Sequence, residues 1–242
     1  MNFSFKKNIA RDLHISSDKD LIIKNPDPVL VESLKSARTN IMYTLSDEEE
    51  GGKTFFVTSA FSGEGKTTTC INLATTLAQT ESKVILVDAD LRKPRVHTYL
   101  GAKNKAGLAN HLGGFSEIES VIGTMDGFNF DYITAGDIPP NPTELLSSNK
   151  FLSFVKKLKE SYDYIIFDTP PVNAVADALS VVPFIKNVVL VCRCGVSLVP
   201  EIEKAVSSLE FAKAKILGFI TIDSQEKKVD YYKSYSGYYE YK

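Results

Sequence analysis

Apolar residues along the chain fall into two kinds of run, and the two kinds alternate. Short runs that are apolar on both faces occupy 54–60 (TFFVTSA), 83–90 (KVILVDAD), 128–136 (FNFDYITAG), 162–171 (YDYIIFDTPP), 187–194 (NVVLVCRC) and 215–223 (KILGFITID). Longer stretches carry apolar residues at helical spacing: Leu30, Leu34, Ala37 and Ile41 within 29–45, and Cys70, Leu73, Ala74 and Leu77 within 66–79. The segments 144–161 and 201–214 also read as helices. Strands with no polar face need cover on both sides, and intervening helices supply it. The pattern predicts an α/β fold: a doubly wound, mainly parallel sheet with helices on both faces and right-handed crossovers.

This pattern occupies 29–223, read as one domain. Residues 1–28 are polar and proline-dotted and read as an N-terminal arm. Acid and glycine break the chain at 46–53 (SDEEEGGK). From Ser224 onward aliphatic residues almost vanish, so 224–242 is expected to be a flexible tail. Six of the eleven tyrosines stand in its last twelve residues, YYKSYSGYYEYK: Tyr231, Tyr232, Tyr235, Tyr238, Tyr239 and Tyr241. No internal repeat is visible.

Composition narrows the class. A 242-residue chain with 43% hydrophobic residues can bury a full core, and its formal charge of -2 creates no field toward nucleic acid or anionic lipid. The N-terminal residues hold no leader-like apolar run and no run reaches membrane-spanning length, so neither leader nor span is expected and the location reads as cytoplasmic. Cys70, Cys192 and Cys194 are an odd set without framework spacing, which fits a reducing compartment. The C-x-C pair offers too few ligands for a metal and reads as buried strand thiols. His14, His97 and His111 are scattered, with no ligand partners at metal-site spacing.

The chemistry concentrates at three strand ends. AFSGEGKT (60–67) follows a strand and opens a helix, the setting of a P-loop NTPase-like phosphate site. Ala60 stands where that motif has its first glycine. Gly63 and Gly65 allow successive backbone N–H groups to turn inward, so Ser62, Gly63, Glu64, Gly65, Lys66, Thr67 and Thr68 are the candidate nucleotide-binding residues. Lys66 supplies a point charge at the β- and γ-phosphates, Thr67 a hydroxyl for Mg²⁺, and Thr68 one for the α-phosphate. ILVDADLRKP ends a strand on Asp88 and Asp90, which alternation places on one side of the sheet. IIFDTPP ends another on Asp168. Three acids beside a phosphate loop suit Mg²⁺, with Thr67, Asp90 and Asp168 as the metal-side set. Asp88 is the candidate for orienting or deprotonating an attacking hydroxyl or water; Lys66, Asp88 and Asp90 are the candidate catalytic residues. Arg92 and Lys93 lie near that site. Prolines 139, 140 and 142 read as a rigid loop before a helix, with Thr143 a possible cap.

The loop, VDADLRKP, NPTELLSS and YDYIIFDTPP together resemble the bacterial protein-tyrosine kinases (BY-kinases) of capsular and exopolysaccharide biosynthesis. The likeness runs from ESLKSARTNI to the tyrosine tail. It implies Mg²⁺ as cofactor, ATP as substrate, and autophosphorylation of the tail tyrosines by a neighbouring subunit. It also implies a transmembrane adaptor that recruits the chain to the inner face of the membrane, a homo-oligomer that can be a ring, and a cognate tyrosine phosphatase. The family's E-x-x-R-x-x-R subunit contact corresponds to Glu32, Lys35 and Arg38, with lysine where arginine is expected. These charges form one polar stripe that reads equally as a solvated pair or as an oligomer contact. Relatives often read adenine with an asparagine where Ile222 and Asp223 stand here, so no base-reading residue is assigned.

A switch ATPase of the MinD/ParA type is the alternative, and a nucleotide-binding scaffold without transfer is the next. The former class carries a second lysine in the phosphate loop, at the position of Phe61. The tail has a rival reading too, as a sticky interaction segment. Charge and glycine between the phenols favour access over stacking.

Overall fold

A computed structural model describes residues 20–46 and 51–223. The first nineteen residues, and with them His14, and the tail with its six tyrosines lie outside the described residues.

Helix α1 (Pro28–Thr44) starts where the sequence can cap it: Asp27 Oδ1 accepts the N–H groups of Val29 (2.8 Å) and Leu30 (3.1 Å), and Pro28 needs no N–H partner. Leu34 and Ile41 of its predicted face are buried. The segment before it is docked from residue 20 onward, although the polar composition predicted an arm through 28. Leu21 and Ile22 are buried, Ile22 N–H donates to Asn72 Oδ1 (3.1 Å), and Asn72 Nδ2 donates to the Asp20 carbonyl (2.8 Å).

The sheet contains β1 (Lys53–Ser59), β2 (Val84–Asp88), β3 (Ile122–Met125), β4 (Phe130–Ile133), β5 (Tyr164–Asp168), β6 (Asn187–Arg193) and β7 (Lys215–Ile222), in the order β3-β4-β2-β5-β1-β6-β7. Every neighbouring pair is parallel except β3 with β4. The six predicted strands are present with ends shifted by up to three residues. β3 was not predicted, because four residues reading IGTM carry no apolar run.

Helices α2 (Lys66–Ala78) and α9 (Val199–Phe211) match the periodicity. The single helix expected over 144–161 is two, α6 (Pro142–Leu146) and α7 (Asn149–Ser161); Ser148 breaks it by accepting the Phe151 N–H at 3.2 Å. Short helices α3 (Val96–Leu100), α4 (Leu108–Gly113), α5 (Ile118–Val121) and α8 (Asp177–Ser180) fall in stretches too brief for periodicity to register.

Strand alternation builds two cores, one per face. Phe55, Val57 and Ile166 pack with α1 and α2 residues such as Ile41, Leu73 and Leu77; Phe56, Ile165 and Phe167 pack with Phe151, Phe154, Leu158 and Leu209 on the other side. Helix α2 is buried nearly all round rather than on one stripe, since α1 and residues 20–23 cover its outer side. Because β2, β5 and β1 are adjacent, their carboxyl ends bring the phosphate loop, Asp88 and Asp168 together at the ligand end of a parallel sheet.

Candidate active site

Between the end of β1 at Ser59 and the start of α2 at Lys66 the chain turns through two left-handed glycines, Gly63 (φ +85°) and Gly65 (φ +89°). Gly65 has a second reason to lack a side chain: a Cβ there would sit 2.4 Å from Ile222 Cδ1. It is also the N-cap of a thirteen-residue helix, so unpaired N–H groups and the positive dipole end face the loop. Ala60 is buried and leaves this geometry intact. Ser62, Gly63, Gly65, Lys66, Thr67 and Thr68 all line a cleft of about 1890 Å³ between α1, the phosphate loop and β7.

Glu64 behaves differently from its neighbours. Its side chain is fully buried and turned away from the cleft, where it accepts the Phe61 N–H (2.8 Å) and the Ser197 hydroxyl. Ser197 Oγ in turn accepts the Arg193 N–H at 2.7 Å, and the Arg193 guanidinium reaches the Gly63 carbonyl (3.4 Å) and Asp223 (2.6 Å). The loop is therefore braced from behind by the end of β6. No local motif marked Arg193 or Ser197 in the sequence; their roles exist only through the fold.

Asp88 and Asp168 occupy the same register on β2 and β5. Asp88 Oδ2 accepts the N–H groups of Arg95 and Val96, both at 3.1 Å, at the start of α3, while its Oδ1 is buried without a partner. Asp168 Oδ2 accepts the Thr67 hydroxyl at 2.5 Å, and its Oδ1 is likewise unpartnered. Burial pushes the Asp88 carboxyl well above the usual range, with Asp168 adding to the rise. Burial raises Asp168 to about 6, and nearby Lys66 pulls against the rise.

The expectation that Asp88 and Asp90 share one face needs correcting. β2 ends at Asp88, so strand alternation does not extend to Asp90. Asp90 instead sits in a turn, half-buried, accepts the Lys93 N–H at 3.0 Å and lines the cleft, whereas Asp88 lies beneath it. Asp90 remains near enough to push up both buried carboxyls.

These residues fit Mg²⁺. The donors are hard oxygens, and two buried carboxylate oxygens lack the partners that burial normally demands. Among the described residues no cluster of three or more His, Cys, Asp or Glu side chains forms a protein-only cage. Thr67, Asp168 and Asp90 would hold the ion.

Other expected residues land in several places. Arg92 is clamped: Nε donates to Asp177 Oδ2 (2.7 Å) and Nη2 to Asp177 Oδ1 (3.0 Å). Thr143 is not a cap; its hydroxyl donates to the same Asp177 Oδ1 at 2.6 Å, and Asn141 is the N-cap of α6. Glu32 and Lys35 form an exposed pair at 3.1 Å, but Arg38 leaves the predicted stripe and donates to the Thr76 carbonyl on α2 at 2.8 Å. Cys70 and Cys192 are buried, while Cys194 is exposed because β6 ends at Arg193. His111 Nδ1 lies 3.0 Å from the Ser116 carbonyl, and burial lowers the proton affinity of His97.

A family model described as an AAA domain matches residues 52–193. Tyrosine-protein kinase YwqD of Bacillus subtilis is 39% identical over 219 residues, covering 90% of this chain and 90% of that protein. The chain belongs to the bacterial tyrosine-protein kinase family. Tyrosine-protein kinase wzc of Salmonella typhi is 34% identical over 91% of this chain, which spans only 30% of that longer relative. The kinase domain of Escherichia coli tyrosine kinase ETK superposes with a TM-score of 0.79 at 32% identity, covering 88% of this chain and 83% of that one. MinD of Pyrococcus horikoshii, solved with Mg-ADP, superposes with a TM-score of 0.60 at 26% identity, over 70% of each chain. The mostly parallel seven-stranded fold is thus shared with tyrosine-kinase domains and with a wider set of P-loop NTPase-like proteins. Among the described residues no helix is long and apolar enough to cross a membrane.

Proposed function

We propose that this chain is an ATP-dependent protein-tyrosine autokinase. It transfers the γ-phosphate of ATP to Tyr231, Tyr232, Tyr235, Tyr238, Tyr239 and Tyr241 of a neighbouring copy. It works beside a membrane-bound adaptor in the control of capsular or exopolysaccharide chain length, as a homo-oligomer contacting through the exposed Glu32 and Lys35, with a tyrosine phosphatase reversing the modification. The observation that carries the reading is the meeting, at one sheet end, of Lys66 and Thr67 with Asp88, Asp90 and Asp168 in a family of tyrosine kinases.

Phosphoryl transfer asks the protein for positioning and charge more than for covalent chemistry. The loop N–H groups and Lys66 hold the phosphates of ATP. Bound Mg²⁺ would add neutralising charge at the phosphate oxygens. The phenol oxygen bonds to the γ-phosphorus as the bond from that phosphorus to the β–γ bridging oxygen breaks, and ADP leaves with those electrons. The phenolic proton passes to Asp88, whose Oδ1 has no partner among the described residues. Ser62 and Thr68 complete the phosphate cradle.

A switch ATPase is disfavoured by Phe61, an exposed aromatic where a dimer-crossing lysine would be needed. The test is mass spectrometry of the purified chain with ATP, Mg²⁺ and the cytoplasmic segment of its adaptor. Phosphate is expected in 224–242, and its absence there would sink the reading.

A further inference from the structure

Two cations on the cleft wall have no task in the transfer just described. Lys93 and Arg95 are exposed and line the same cleft as Lys66, Thr67 and Asp90. Neither side chain has an ionic partner among the described residues, whereas Arg92 is spent on Asp177. Their backbones are fixed by the site itself, since Lys93 N–H donates to Asp90 (3.0 Å) and Arg95 N–H to Asp88 (3.1 Å). A guanidinium and an ammonium are thus held beside the reacting carboxylates and open to an anion. Paired with a planar fork, a point charge of this kind selects phosphate esters.

The tail supplies such esters only after reaction. Residues 224–242 carry four lysines (Lys227, Lys228, Lys233 and Lys242) against three acids (Glu226, Asp230 and Glu240), so the unmodified tail is slightly cationic. Each phosphotyrosine adds about -1.5 to -2 charges, so a single one already reverses its sign. We infer that Lys93 and Arg95 form a phosphotyrosine-binding subsite for the tail of a second copy. They grip one modified residue while the next phenol reaches the γ-phosphate, so that one transfer promotes another. From Tyr232 on, successive tyrosines lie one to three residues apart, at most ~11 Å of extended chain. The inference rests on the autokinase reading and names the acceptor it favours. A bilayer shares the anionic chemistry, but these side chains line a concave cleft with Lys66, which suits a peptide strand better than a flat surface.

The experiment measures binding, so it needs no turnover. Full chain saturated with Mg-ADP is titrated into labelled peptides of 229–242 carrying no, one or three phosphotyrosines. Affinity is expected to rise about tenfold or more with phosphate count and to fall as salt goes from about 50 to about 300 mM. Inorganic phosphate at the same concentrations should compete poorly. Lys93→Ala/Arg95→Ala should bind the three peptides alike while keeping its ADP affinity, and Lys93→Arg should retain the preference. Lys93→Ala alone serves if the double variant is unstable. Equal binding of all peptides to the wild type would overturn the inference, as would a double variant that keeps the preference or loses ADP by the same factor. Vesicles of phosphatidylglycerol captured through Lys93 and Arg95, with no peptide preference, would overturn it in favour of a membrane. A chain that labels its tail but shows no preference refutes the subsite alone; one that never labels its tail refutes the autokinase reading instead.

Discussion

Asp88 and Asp168 stand side by side at the ends of adjacent parallel strands, each with one buried carboxylate oxygen that has no hydrogen-bond partner among the described residues. Like charges placed this way are costly without a cation, so the nucleotide-free site trades stability for readiness to bind one.

That cost has a pH signature. The folded-state value of Asp168, about 6, lies above the ordinary carboxylate value of 3.8, so the folded form binds this proton more tightly than the unfolded form. The associated stability is fully present below 3.8 and is lost as pH rises through about 6. Asp168→Asn should therefore melt roughly 3–6 °C above wild type at pH 8 without nucleotide, with the gap narrowing as pH falls through about 6 and closing only below 3.8. The same variant should lose the Mg²⁺-dependent gain in ADP affinity. Equal melting temperatures at both pH values would refute the account.

Gly65 combines a left-handed backbone with a close neighbour. Gly65→Ala should destabilise the fold by about 1–3 kcal/mol and abolish ADP binding. Adding Ile222→Ala removes the 2.4 Å clash but not the backbone strain. Calorimetry of the double variant should show partial recovery; complete recovery would mean that the backbone contributes nothing.

The Arg92–Asp177 pair is asymmetric, with an arginine side chain 41% exposed and an aspartate fully buried. Arg92→Ala strands the buried carboxylate with Thr143 alone and should cost about 3 kcal/mol, while Asp177→Ala, which lets Arg92 turn to water, should cost about half that. The two changes together should be milder than their sum in a denaturant double-mutant cycle. Additive losses would show that the pair is not coupled.

Lys66 is nearly buried beside Asp168 and offers its charge to whatever fills the loop. Lys66→Met should weaken ADP binding by about tenfold or more and eliminate tail labelling while the far-ultraviolet spectrum stays native. Labelling retained in Lys66→Met would remove Lys66 from the mechanism.

Much of the fold and half of the site could be read in advance, for different reasons. Strands such as 162–168 announce themselves because burial on both faces demands uninterrupted apolar residues, and GEGKT announces a phosphate site because backbone geometry there requires glycine. Ile122–Met125 gave no such warning, since an edge strand borrows its order from the neighbour it pairs with. The partners of Glu64 and Arg92 were equally silent, at separations of 133 and 85 residues.

By itself, the chain's alternation of apolar periods determined a parallel layered fold, and its glycines and strand-end acids marked where the phosphate site is proposed. These are local demands of burial and backbone conformation, legible wherever a residue type has few other uses. Only the tertiary structure decided that Asp88 lies under the cleft while Asp90 lines it, that Arg38 turns inward, and that Ser197 braces the loop. Each depends on where one strand stops or on which distant segment arrives beside it, and the packing of the whole domain sets those distances.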